Sequence, residues 1–295
     1  MTYSIVARDP ATGELGVAVQ TRWPFVGETV PWAEPGVGAV ATQSFAEKRY
    51  GTLGLERMRA GASAPDALAA LLAEDDDREI RQVGMVDGHG RSASFTGSRC
   101  VFAAGHVTSD DVAIQANMME RPTVWPAMAD AYARASGDLA DRLVVALRAA
   151  ETEGGDVRGR QSAALVVAPA DGPAWTRRFE IRVDDHAAPL DELVRLLRLA
   201  RAYEAFDRAD APFQVGDVAA AAAAMDEAHA LAPDDDQIVL WAALMVGAAG
   251  DIERARRLFG IARAAEPRSA EHLRRFHAAG HVPEASAAVI AELER

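Results

Sequence analysis

Two spacings of hydrophobic residues divide the chain. Up to about residue 187, short β-branched runs alternate with turn signals, the pattern of buried or half-buried strands. Residues 3–7 read as a strand, DPATG at 9–13 as a turn, and residues 15–21 as the returning strand of a hairpin. Residues 36–42 form a third extended, small-residue stretch. Helices are expected at 52–60 and 64–74, the second capped by Ser63 with Pro65 in its first turn. Strands follow at 80–87, 91–96 and 112–116, with DGHG at 87–90 as a hairpin turn. A second helix pair is expected at 122–135 and 138–152, with Asp138 as N-cap, and strands at 161–167 and 178–183 close the region. Strands, two helices, strands, two helices and strands again predict two stacked sheets with a helix pair on each outer face. That is an α+β fold built as a four-layer α-β-β-α sandwich.

From Pro189 onward the pattern is helical and repeats. Gly216 and Asp217 recur 34 residues later as Gly250 and Asp251, and Pro233 recurs as Pro267. Between them Ala221 matches Ala255, Met225 matches Phe259 and Ala228 matches Ala262. This period resembles the tetratricopeptide repeat. Small residues let paired helices approach closely, the proline ends the second helix of each unit, and stacking buries the apolar faces. An alanine-rich helical bundle is the simpler alternative. Pro212 falls inside the first opening helix, and the segment after Pro267 is about four residues short of register and is expected to cap the array. The expected domains are thus 1–187 and a helical 188–295. The glycines agree, with 18 of 23 lying in the first part.

Charge narrows the partners. The chain carries 31 basic and 44 acidic residues, a net −13, which argues against nucleic acid or an anionic membrane. The acidity is spread along the chain: 18 acidic residues face 12 arginines in 188–295, so it reads as a solubility feature. Lys48 is the single lysine. One cysteine, Cys100, excludes an internal disulfide framework and a cysteine-rich zinc site; with Arg99 beside it a thiolate is conceivable, and packing is the simpler role. The apolar runs are too short to span a membrane, and the first residues have neither the basic nor the hydrophobic region of a signal peptide, so a cytoplasmic protein is expected. No GxGxxG, P-loop, HExxH or GxSxG pattern occurs in its required context, and the seven histidines lack ligand spacing. Neither cofactor nor metal is expected. Asp184, Asp185 and His186 are read as a solvated strand end.

The remaining candidate chemistry is at the start of the chain. Thr2 is small enough for methionine aminopeptidase to remove Met1. The exposed residue would then carry both a hydroxyl nucleophile and an α-amine of pKa about 7.7–8.0 that can accept the hydroxyl proton. Many proteins begin Met-Thr, so position alone does not establish this.

The wider context is informative. The stretch 2–19, TYSIVARDPATGELGVAV, resembles the opening of the family catalogued as domain of unknown function 1028. Further matches are GVGAVATQ at 36–43, GH at 105–106, QAN at 115–117, GDVRGRQS at 155–162 and RVDDH at 182–186. That resemblance covers residues 2–187 and implies the N-terminal nucleophile (Ntn) hydrolase fold, the same four-layer sandwich, and hydrolysis of an amide bond in a small amide or short peptide. It implies Thr2 as nucleophile, Arg22 as the cation that keeps the amine neutral, Asn117 as oxyanion donor and Ser162 as an orienting hydroxyl. Gln43, Lys48, Arg160 and Gln161 are expected to contact substrate, and arginines at the site would favour a substrate bearing a carboxylate. Each supporting residue also has a plain structural role open to it: surface cation, strand cap or core hydroxyl. A homo-oligomer is expected, with a protein partner on the helical tail. The rival readings are an inactive Ntn-like binding module and a scaffold in which the repeat does the work.

Overall fold

The computed structural model describes residues 2–295, so the expected removal of Met1 lies outside the described residues. Among the described residues ten strands form two sheets. The six-stranded sheet has the order β10 (Phe179–Val183), β9 (Ser162–Ala168), β2 (Leu15–Thr21), β1 (Thr2–Arg8), β8 (Val112–Asn117) and β7 (Gly105–Ser109). The four-stranded sheet has the order β3 (Pro31–Glu34), β4 (Gly38–Ser44), β5 (Arg81–Asp87) and β6 (Ser92–Thr96). Helices α1 (Arg49–Arg59) and α2 (Ala64–Ala73) pack on the four-stranded sheet, and α3 (Val124–Arg134) and α4 (Leu139–Thr152) pack on the six-stranded one. The sheets face each other through β1, β2, β8 and β9 on one side and β3, β4 and β5 on the other, so the layers run helix pair, sheet, sheet, helix pair.

Strand alternation sets the contents of the layer between the sheets. Val6, Leu15, Val17 and Val19 join Val30, Ala39, Ala41 and Val86 in a dry core at one end. Two residues up β1 from Val6, Ser4 reaches across to Gln43 of β4, and from there the layer is polar. The opposite faces of the same strands meet α4, where Tyr3 and Gln20 both bond Glu151.

Two strands and part of a helix depart from the sequence pattern. β3, which starts at Pro31 and ends before Pro35, and β7, a half-exposed edge, have no counterpart among the expected strands. Helix α1 begins at Arg49 rather than 52, and Gly51, just before the expected start, is a buried contact point within it. A Cβ at Gly51 would sit 2.4 Å from the Trp32 ring. The caps agree with expectation: Ser63 accepts from the Asp66 N–H and Asp138 from the Asp141 N–H.

The chain divides into two compact units at Arg195/Leu196, inside α5 (Pro189–Gln214), rather than at 187/188. The fall in glycine content marks the end of the last strand, whereas buried Leu190 and Leu193 hold the first turn of α5 in the first unit. The second unit continues with α6 (Val218–Leu231), α7 (Asp236–Ala248), α8 (Ile252–Ala265), α9 (Ser269–Ala278) and α10 (Ser286–Leu293). Its repeat is visible in the backbone. Asp217 and Asp251 cap α6 and α8 with near-identical dihedrals, φ −80°, ψ 69° and φ −87°, ψ 71°. Turn glycines with positive φ precede α6, α8 and α10 at Gly216, Gly250 and Gly280, and the last interval is four residues shorter than the first. Among the described residues, no helix is long and apolar enough to cross a membrane.

Candidate active site

Thr2 heads the central pair of the six-stranded sheet, aligned with Thr21 of β2 on one side and Asn117 of β8 on the other. It is 5% exposed, and its Oγ1 lies 3.1 Å from Thr21 Oγ1. Its carbonyl accepts from Gln43 Nε2 at 3.1 Å and Asn117 Nδ2 at 3.4 Å. The two amides that hold Thr2 are themselves held by Gln82 of β5, whose Oε1 accepts from Gln43 Nε2 and Asn117 Nδ2, both at 2.8 Å. Gln82 Nε2 in turn donates to Thr96 Oγ1 and to the carbonyls of Ala116 and Gly105. Ser4 completes the bridge, donating to Gln43 Oε1 at 2.7 Å and accepting from Gln115 Nε2 at 2.6 Å. Gln115 Oε1 is buried without a partner, but the amide groups of Gln43, Gln82 and Asn117 that hold Thr2 are bonded across the sheets, a rigid support because displacement strands a donor or acceptor in a dry layer.

Above Thr2 opens a cavity of about 480 Å³. Its polar lining includes Thr2, Thr21, Gln43, Asn117, Glu28 and Arg158. The remainder is largely apolar, with Trp23, Phe25 and Phe45 at 67%, 53% and 60% exposure forming an aromatic mouth. Three non-glycine residues lining this cavity hold left-handed backbone: Phe25 (φ 60°), Ser44 (φ 70°) and Met118 (φ 57°). Such conformations cost about 1–3 kcal/mol each and collect where the surrounding structure must aim a side chain or open a site. Here they occur at or just beyond the ends of β2, β4 and β8, where the chain turns away from the sheets.

The sequence-derived residues separate into two groups. Thr2, Gln43 and Asn117 meet at the cavity floor. Arg22 does not line the cavity: it is exposed, its guanidinium bonds Gln161 Oε1, and its N–H donates to Asp156 Oδ2 at 3.1 Å. Ser162 pairs with Thr21 in register, but its hydroxyl donates to the Trp23 carbonyl at 2.5 Å and accepts from the Val26 N–H, fixing the loop beneath the mouth. Lys48 is exposed at the start of α1. Gln161 donates to Asp185 at 3.0 Å, and Arg160 bonds Glu151 at 3.0 Å beside a separate cavity of about 260 Å³. The cation that does line the Thr2 cavity is Arg158, held by two bonds to the buried Asp156 carboxylate.

Thr21, Gln82 and Arg158 escaped the sequence reading. Strand alternation carries the signal for Thr21, since a residue paired with Thr2 shares its face, and the next residue, Arg22, falls on the other side. Gln82 required knowledge of how the sheets are stacked. Burial raises the Cys100 thiol above its ordinary value, which removes the thiolate reading. Burial, reinforced by the Glu151 carboxylate, holds the Tyr3 phenol far above its usual range and therefore neutral. Among the described residues no group of three or more His, Cys, Asp or Glu side chains could hold a metal.

The comparisons with known proteins concern the first unit. The family of unknown function DUF1028 matches residues 2–193. The crystal structure of protein SPO2555 from Silicibacter pomeroyi, of the same family, is 32% identical, with a TM-score of 0.62, covering 68% of this chain and 88% of that one. Anbu (ancestral beta-subunit) from Yersinia bercovieri is 13% identical, with a TM-score of 0.34, covering 66% of this chain and 92% of that one, a likeness too low to show a shared fold. No curated protein matches. With a family match running from the site strand to the start of α5, the chain belongs to the family of unknown function DUF1028.

Proposed function

We propose that the first unit is an Ntn-hydrolase-like amidase in which Thr2, freed of Met1, is the nucleophile. The observation that carries this reading is the placement of Thr2: a buried hydroxyl at the head of a central strand, opening into a cavity and braced by amides from both sheets. Thr2 Oγ attacks the substrate carbonyl carbon, and its proton passes to the Thr2 amine. The amine then protonates the departing nitrogen as the C–N bond breaks, leaving an ester on Thr2. Water attacks that ester, giving its proton to the amine, and the acid leaves as Oγ is reprotonated. Asn117 is the donor best placed to turn toward the oxyanion, because its 3.4 Å contact with the Thr2 carbonyl is the longest in the set.

The walls do not meet the condition, several arginines at the site, that would favour a substrate bearing a carboxylate. One arginine rather than several lines the cavity, already paired to Asp156, and the aromatic mouth offers an apolar acyl group a place to leave water. An amide with an apolar acyl part fits best. The helical unit is read as a tetratricopeptide-like tail, supported by the matched caps and turn glycines.

Intact-mass analysis of the cellular protein tests the first requirement, since retained Met1 eliminates the free amine. Protein lacking Met1 is then treated with β-lactones of increasing acyl length. A covalent adduct on Thr2 that forms faster with longer apolar chains is expected. It should vanish in Thr2→Ala and persist in part in Thr2→Ser. Unchanged labelling of Thr2→Ala would remove Thr2 as nucleophile.

A further inference from the structure

The aromatic side chains of the helical unit are concentrated in one place. Of its six Phe, Trp and Tyr residues, only Phe259 lies apart; Tyr203, Phe206, Phe213, Trp241 and Phe276 gather from α5, α7 and α9. Trp241 meets Phe276 at 5.1 Å with planes 76° apart, and Phe206 at 6.1 Å with planes 73° apart. Two rings therefore stand nearly perpendicular to the indole, as walls meeting a third. His281 extends this ring cluster, 5.8 Å from Phe276.

These rings line a pocket of about 140 Å³, with buried Phe213, Met245 and Val282 completing it. An apolar cavity of roughly 150 Å³ accepts a benzene-sized guest, so the space suits a compact group and not a large ring system. An ordinary core gap would be closed and uncharged. This one is open, with Phe276 37% exposed, and exposed Asp210 lies in its lining. Gln214 donates to Asp210 Oδ1 at 3.2 Å and to the His281 carbonyl at 2.9 Å, tying the carboxylate to the histidine segment. Among the described residues, no lysine or arginine lines the pocket.

Ring faces carry negative electrostatic potential, and a carboxylate beside them adds a full charge. The guest that satisfies both is a cation whose surface is largely methyl or methylene, because a bare ammonium ion gives up more hydration on entry. We propose that this pocket binds an alkylated ammonium head group, with the rings around its carbons and Asp210 beside its charge.

Isothermal titration of the full chain with choline, tetramethylammonium, an end-capped trimethyl-lysine tripeptide and 3,3-dimethyl-1-butanol, the uncharged isostere of choline, tests this. At least one cation is expected to bind ten-fold or more tightly than the alcohol. Binding should weaken about ten-fold in Asp210→Asn, an exposed change that leaves the helices intact, and be lost in Trp241→Leu. Preference for choline assigns a free small molecule; preference for the tripeptide assigns a modified side chain on a protein. Equal affinity for the neutral alcohol, failure of every cation to bind, or undiminished binding by Asp210→Asn overturns the proposal.

Discussion

The two units treat buried polarity in opposite ways. Among the described residues sixteen buried polar or charged side chains precede Arg195, whereas only Ser269 and Ser286 follow it. Ser269 spends its hydroxyl locally, on the carbonyls of Ala262 and Glu266. The helical unit is thus held by shape: Ala221, Ala228, Ala255 and Ala262 allow close helix packing around Leu244, Met225 and Phe259. The sheet unit accepts a costlier interior, with five amide or hydroxyl side chains bonded to one another between the sheets. Apolar packing alone would hold the layers together, as Val6, Val17 and Val19 do a few residues away. What the polar end adds is a fixed direction for the first residue of β1.

That contrast can be broken at its strongest point by Gln82→Ala. It leaves the Gln43 and Asn117 amides without their shared acceptor and removes the Gln82 donor from two backbone carbonyls, so unfolding free energy should fall by roughly 3–5 kcal/mol in urea titration. A loss below about 1 kcal/mol would mean that the network is readily rehydrated. In the helical unit Leu244→Ala should cost about 3 kcal/mol as a simple cavity, leaving Thr2 labelling unchanged. Gly84→Ala tests the packing of the network rather than its bonds. A Cβ there would lie 2.0 Å from Gln115 Oε1, forcing Gln115 off Ser4 at a cost of about 1–3 kcal/mol and slowing Thr2 labelling.

Acid should separate the units more mildly. Burial opposes ionisation of Asp75, but bonds from Arg81 and Tyr50 outweigh it and hold the carboxyl below its ordinary 3.8. The unfolded chain then binds the extra proton first, so stability is full above pH 3.8 and falls as pH drops through the folded value. Thermal melts of Asp75→Asn should lack this part of the acid slope. The smallest expected effects are the repeat's caps: Asp217→Ala and Asp251→Ala should each cost about 1 kcal/mol, and equally, if the two positions are equivalent.

Much of the fold was legible because its strands are β-branched and its turns carry Asp, Gly and Pro. β1, β2 and β9 stand out by composition alone, and Asp138 marks the start of α4 as a cap should. β3 was hidden because Pro31 and the Pro35 that follows the strand imitate a loop, and the start of α1 because Gly51 serves packing against Trp32, a partner distant in sequence. The site followed the same division. Thr2, Gln43 and Asn117 lie in blocks readable along the chain, and they converge. Arg22 read as the cation because it is close to Thr21 in sequence. Which side of the sheet a residue faces decides the matter, and Arg158, set by a turn around Asp156, lines the cavity instead. Gln82 carries no local signal, since its importance comes only from two sheets meeting.

The framework around Thr2 consists of hydroxyls and carboxamides: Thr21, Ser4, Gln43, Gln82, Gln115 and Asn117. None of these gains or loses a proton between mild acid and mild base. The proposed reaction therefore has a simple signature in a pH–rate profile: one ascending limb that belongs to the Thr2 amine, centred near its reference value of about 7.7–8.0. Solvent conditions would then tune the base alone, while the geometry that presents the nucleophile stays constant.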